Sequence, residues 1–210
     1  MFDVDSALMR FLTRVADLMI LNLLFLATSL PVVTLGASLT ALSGTAMRIA
    51  RGECESVPGD YLRALRRDFR QGTLLGLAVA GLGLVLAAWW VVIGGLGVPG
   101  LVQLLLYAVC VVLAFRLTLV ALYAFPYLAT FDDGLRTVLR NARLMSARHP
   151  LASLMLLAVT GLPVVVTVFY PKIAVYGLLW FLFGFAGVAF LAGIVLTGVF
   201  ARYAPKLALS

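Results

Sequence analysis

The feature that most constrains this chain is the length of its uninterrupted apolar runs. No charged side chain occurs from Leu74 to Ile93, and none from Leu101 to Phe115. About 20 such residues in α-helix cross the ~30 Å hydrocarbon layer of a bilayer. Inside lipid every backbone N–H and C=O must be bonded within the protein, which leaves helices or a closed barrel. Barrel strands would be short and alternating, and these runs are neither. The expected fold is therefore all-α, a polytopic transmembrane helical bundle. Composition agrees: 63% of the 210 residues are hydrophobic and 12% are charged, whereas soluble domains run near a quarter charged.

Hydropathy places about six membrane segments, near 15–32, 35–50, 73–96, 99–126, 150–170 and 173–200. The chain is read as a single transmembrane domain over 1–210, and the first segment as an uncleaved span, because Asp3, Asp5 and Asp17 are unusual in a signal peptide. The second segment, Leu35 to Met47, is rich in Gly, Ala, Ser and Thr. Small and hydroxyl residues suit a helix buried in protein rather than one facing lipid. Pro31 and Gly36 bracket the first turn, Gly94 to Gly100 the second, and Tyr170-Pro171-Lys172 the third.

A net charge of +7 suggests a nucleic-acid partner until its distribution is read. Fourteen of the sixteen Lys and Arg lie in the N-terminus, in 48–71, in 127–149 and in the C-terminus; Lys172 stands on the other side and Arg116 within a span. That asymmetry is the signature of cytoplasmic loops. It predicts three hairpins with both termini in the cytoplasm, in a bacterial cytoplasmic membrane, with no nucleic acid involved. Two of the basic segments have helical periodicity and read as cytoplasmic amphipathic helices. In 58–71, Leu62, Leu65 and Phe69 recur beside Arg63, Arg66, Arg67 and Arg70; in 132–148, Leu135, Val138, Leu139, Ala142 and Met145 oppose Arg136, Arg140 and Arg143. Anionic lipid headgroups or a membrane-protein partner would meet such faces. At a shift of 73 residues Asp60, Leu62, Arg63, Arg67 and Arg70 coincide with Asp133, Leu135, Arg136, Arg140 and Arg143. This suggests an internal repeat, 60–131 and 133–205, although two unrelated basic amphipathic helices would look similar.

Gly95 to Gly100 matches Gly-x-Gly-x-x-Gly but lies between two spans, without the strand and soluble helix a dinucleotide site needs. No catalytic constellation is evident. The lone His149 has no partner at a nucleophile or metal spacing, and Cys54 and Cys110 are predicted at different depths, which disfavours a disulfide. No metal and no cofactor is expected, and the chain is not read as an enzyme. Polar residues within spans carry more information, because an unpaired Arg in lipid costs several kcal/mol. Arg116 is expected to find a partner in Asp17 or Asn22, as an intramembrane polar cluster. A structural clamp is the plain reading of that cluster, and a solute or proton path is the functional one. Gly72, Gly76, Ala80, Gly83 and Ala87 form a small-residue stripe, and Gly184, Gly187 and Gly193 thin the last span; close helix packing explains both.

The stretch Asp17, Asn22-Leu23-Leu24-Phe25, Leu30-Pro31-Val32-Val33-Thr34-Leu35-Gly36-Ala37 and Thr40-Ala41-Leu42, followed by Phe69-Arg70-Gln71, resembles the YesL-like family of bacterial membrane proteins. The likeness is densest over 15–71. The family carries no settled activity, so Pro31, Thr34 and Gly36 transfer only as motif residues. Its members occur beside carbohydrate uptake systems, which implies an accessory or scaffold role in ABC-type sugar import by association alone. Asp133-Gly134, with His149-Pro150 downstream, is also faintly similar to the coupling segment of importer permeases, without its Glu-Ala-Ala opening. That likeness does not make the chain a permease; the association with uptake systems names an importer permease as the candidate partner. The alternative is a small-solute transporter with a polar pathway near Asp17, Asn22 and Arg116.

Overall fold

In the computed structural model the described residues are 7–131, 133–169 and 174–201. They form eight helices: α1 (Ala7–Ser29), α2 (Leu35–Arg51), α3 (Val57–Gly95), α4 (Gly100–Thr130), α5 (Leu135–Arg148), α6 (Pro150–Phe169), α7 (Ala174–Leu179) and α8 (Phe185–Phe200). A 3₁₀ turn, Val32–Thr34, joins α1 to α2, and a π-helical turn, Trp180–Gly184, joins α7 to α8. Six stretches are long and apolar enough to cross a membrane: Phe11–Ser29, Val32–Arg51, Val57–Gly95, Gly100–Thr130, Pro150–Phe169 and Gly177–Phe200. The chain is a multi-pass all-α protein with the six segments its hydropathy predicts.

The helix richest in small residues lies at the centre. α2 packs against α1, α3, α4 and α8. Gly36, Ala37, Ser38, Thr40, Ala41, Leu42, Thr45, Ala46, Met47 and Ile49 are all buried. Lipid is as apolar as leucine, so burial of hydrocarbon gives little drive between helices there, and close packing must supply it. A Cβ on Gly36 would overlap the Gly72 carbonyl and the Gly76 backbone, and one on Gly72 would overlap Ala37. Glycine at these three positions lets α2 and α3 approach backbone to backbone. The stripe predicted on the third span therefore works at Gly72 and Gly76, whereas Gly83 has open space before it.

The outer helices show the opposite character. Leu84 is 71% exposed, Val91 74%, Leu101 71% and Leu151 75%. Water would penalise such a surface by ~25 cal/mol per Å², and acyl chains would not. At the α3–α4 turn Trp90 packs against Tyr107 with ring centroids 4.5 Å apart and planes tilted by 47°, and Gly97 takes a left-handed φ of 58° that a side chain would resist.

One expectation is corrected. The segment 58–71 is not a separate surface helix, because α3 runs unbroken through all 39 residues from Val57 to Gly95. At ~1.5 Å per residue that is about 58 Å, nearly twice the hydrocarbon thickness. Its basic first turns are an extension of the membrane helix, steadied by α2 alongside. The counterpart α5 is separate: it stops at His149, and Pro150, which disfavours helix at the residue before it, opens α6. α5 buries Val138, Ala142, Met145 and Ser146 and exposes Arg136, Arg140 and Arg143. The Ser153 hydroxyl donates to Ser146 O at 3.0 Å and lies 3.1 Å from that of Tyr123, linking α4, α5 and α6. Tyr170, Pro171 and Lys172, expected at the third turn, lie outside the described residues.

Candidate functional site

The chain's charged groups gather where the end of α2, the start of α3 and the end of α4 meet. α2 closes at Gly52, whose φ of 74° turns the chain while its amide reaches Arg48 O and Ile49 O. The short return brings Glu53 beside Arg51, with Arg51 Nε donating to Glu53 Oε2 at 2.7 Å. α3 then starts with Asp60 in its first turns, and this carboxylate is almost fully buried. Arg63 Nη1 donates to Asp60 Oδ1 at 3.2 Å, and Arg48 Nη1 approaches the same oxygen at 3.6 Å. One turn on, Arg67 grips Asp68 through Nε at 3.0 Å and Nη2 at 2.8 Å, and Nη2 also reaches Ala129 O of α4 at 2.8 Å.

Of these groups Arg48, Arg51, Glu53, Asp60, Arg63 and Arg67 line a cavity of about 280 Å³, with Thr45 also in its wall. Two wall residues keep a buried oxygen without a hydrogen-bond partner, Asp60 Oδ2 and Thr45 Oγ1. Cys54 lies beside Asp60. Burial and the neighbouring Asp60 carboxylate push its thiol up to about 11, with Asp17 adding to the effect and Arg48 opposing it. Cys54 therefore stays protonated and neutral at ordinary pH.

The predicted polar cluster is divided by the fold. Asn22 is fully buried and its bonds go to the last span. Its Nδ2 donates to Trp180 O at 3.0 Å and Phe181 O at 2.7 Å, and its Oδ1 accepts from Ala186 N at 3.0 Å. A π turn frees carbonyls from the helical ladder, and Asn22 satisfies them from α1. Asp17 is half-buried and near enough to Cys54 to be felt electrostatically, so it belongs with the arginine-rich end. Arg116 is exposed on α4, and the structure brings it to neither Asp17 nor Asn22; among the described residues it has no ion pair or hydrogen bond. The expected clamp fails because α1 turns toward α2, α3 and α8 rather than toward α4.

The predicted basic surface is divided too. All seven are exposed, but Arg63 and Arg67 pair with Asp60 and Asp68, whereas Arg66, Arg70, Arg136, Arg140 and Arg143 form no ion pair with a described residue. Arg48 and Arg51 complete the cavity wall and were not singled out from the sequence. Their signal was present: two cations one turn apart at a helix end, followed by Gly52-Glu53.

The motif residues acquire structural roles. Thr34 Oγ1 lies 2.7 Å from both Thr28 O and Pro31 O, and Thr34 N donates to Pro31 O at 2.9 Å. The threonine fastens the end of α1 to the turn, and Gly36 then admits α3. Tyr61 adds a second fastening through its hydroxyl, 2.5 Å from that of Thr28.

A family model described as "Protein of unknown function, DUF624" matches residues 18–90. The match takes in Asn22, the Pro31-to-Gly36 turn, α2 and most of α3, which is the stretch that resembles the YesL-like proteins. It leaves out α4 to α8. No curated protein and no solved structure matches the chain.

Proposed function

We propose that this chain is a non-catalytic accessory or scaffold subunit of the bacterial cytoplasmic membrane, serving carbohydrate import of the ABC type. Both termini and the basic segments face the cytoplasm in this reading. The observation that carries the docking role is the set of exposed arginines that form no ion pair with a described residue, Arg66, Arg70, Arg136, Arg140 and Arg143. A cation left unpaired on the surface is available to an acidic partner or an anionic headgroup. The link to sugar import rests on the resemblance to the YesL-like family. Orientation rests on the charge asymmetry: a cysteine placed at the exposed Leu144 of α5 should label only after permeabilisation, and one placed at Leu96 should label in intact cells. External labelling at position 144 in intact cells would reject that orientation.

Converting the five exposed arginines to Gln tests the docking role. Each contributes ~1 kcal/mol near an anionic surface, attenuated by salt. Capture of a membrane partner in mild detergent, or binding to anionic vesicles, should fall at least about tenfold. Added salt should reproduce part of the loss. The rival small-solute transporter draws on the buried Asn22 and Asp60. Saturable flux by the purified protein alone in vesicles, abolished by Asn22→Leu and untouched by the arginine changes, would overturn the scaffold in its favour.

A further inference from the structure

The arginine-lined cavity at the junction of α2, α3 and α4 has features that docking through exposed arginines does not use. We propose that it is a discrete binding site for a monoanionic phosphate diester bearing a hydroxyl or ammonium group, the chemistry of a phospholipid headgroup. The proposal goes beyond the scaffold reading and concerns different arginines, so either can fail alone.

Charge points to an anion. The cavity wall sets the guanidinium groups of Arg48, Arg51, Arg63 and Arg67 against the carboxylates of Glu53 and Asp60, so cations outnumber anions there. The carboxylates also hold the forks in place before any ligand arrives. Arg51 is bonded through Nε, so its two terminal nitrogens remain for a ligand, and Arg63 is bonded through Nη1. A planar, fixed guanidinium is well suited to phosphate oxygens.

The orphaned oxygens point to the second group. Asp60 is 4% exposed and Thr45 1% exposed, both line the cavity, and each keeps an unpartnered oxygen. Leaving such a group unmade costs ~1–3 kcal/mol, and native structures seldom leave one without cause. The Cys54 thiol beside Asp60 is a weak donor only. A hydroxyl or ammonium a few bonds from the phosphate would reach Asp60, while the Thr45 hydroxyl could donate to a phosphate oxygen. The cavity, about 280 Å³, has room for a group of this size. It also lies at the ends of α2 and α4, at the limit of the apolar spans, where headgroups reside.

The test uses the full chain, delipidated in detergent, with glycerophosphoethanolamine as the soluble diester and inorganic phosphate as the comparison, read by calorimetry. A second arm asks by native mass spectrometry whether intact phosphatidylethanolamine is retained from nanodiscs. The expected result is one diester per chain, with phosphate at least about tenfold weaker. Arg51→Gln and Thr45→Val should each weaken the diester about tenfold, Arg51→Lys should weaken it less, and Arg136→Gln with Arg140→Gln should leave it unchanged. Circular dichroism and the unfolding midpoint establish that each variant is folded, and Arg51→Lys retains the charge should Arg51→Gln not fold. Retention of the intact lipid assigns the site to a headgroup, and binding of the soluble diester alone assigns it to a free ester; both support the site. No saturable diester binding, or equal binding by wild type and folded Arg51→Gln, overturns it.

Discussion

The two basic segments, 60–70 and 133–143, align residue for residue at several positions, yet they end up in different structures. In the first, Asp60 and Asp68 are buried and pair with Arg63 and Arg67, whose side chains stay exposed. In the second, the positions matching Asp60 and Asp68 are Asp133 and Asn141, and both turn to Tyr127 instead. The Tyr127 hydroxyl donates to Asp133 Oδ2 at 2.7 Å and accepts from Asn141 Nδ2 at 2.7 Å. With the acid occupied and the second acid replaced by an amide, Arg136 and Arg140 remain at the surface. The first segment continues into its membrane helix, and the second is cut off by Pro150. Similar amphipathic sequence can therefore serve as the wall of a cavity or as an exposed face. The choice lies with the acidic partners and with the residue that ends the helix.

The sharpest way to break this comparison is to remove the cations of each segment. Arg48→Gln with Arg63→Gln leaves Asp60 buried beside no direct cation, and such a charge costs ~3 kcal/mol or more. A clear fall in the unfolding midpoint is expected, with part of it recovered by adding Asp60→Asn. Arg136→Gln with Arg140→Gln should change stability by less than about 0.5 kcal/mol. Equal losses from the two pairs would mean that both sets are structural.

A smaller effect tests why the second segment differs. Tyr127→Phe removes a hydroxyl that bonds a carboxylate and an amide at once, and ~1–2 kcal/mol of stability should go with it. Because Asp133 is then released, Arg136 or Arg140 gains a possible partner. A double-mutant cycle with Asp133→Asn should show the two losses to be less than additive. Strict additivity would mean that Tyr127 and Asp133 do not act as a pair.

Apolar run length decides by itself that this chain is helical and crosses a membrane several times, because lipid allows few ways to satisfy a backbone. The buried position of α2 was also legible, since Gly36, Ala37, Thr40 and Ala41 have too little surface to face lipid profitably. Pairing among the polar residues was not legible. Asn22, Asp17 and Arg116 looked like one cluster in hydropathy. The π turn at Trp180 claimed Asn22, the α2–α3 corner claimed Asp17, and α4 kept Arg116 outside. Periodicity tells which face of a helix is apolar but not which neighbour a polar atom will meet. That depends on helix rotation and crossing, which contacts such as Gly36 on Gly72 and Gly76 set across the chain. The arginine-lined cavity is decided at the same level, because its walls come from three helices and assemble only when those glycines let α2 close on α3.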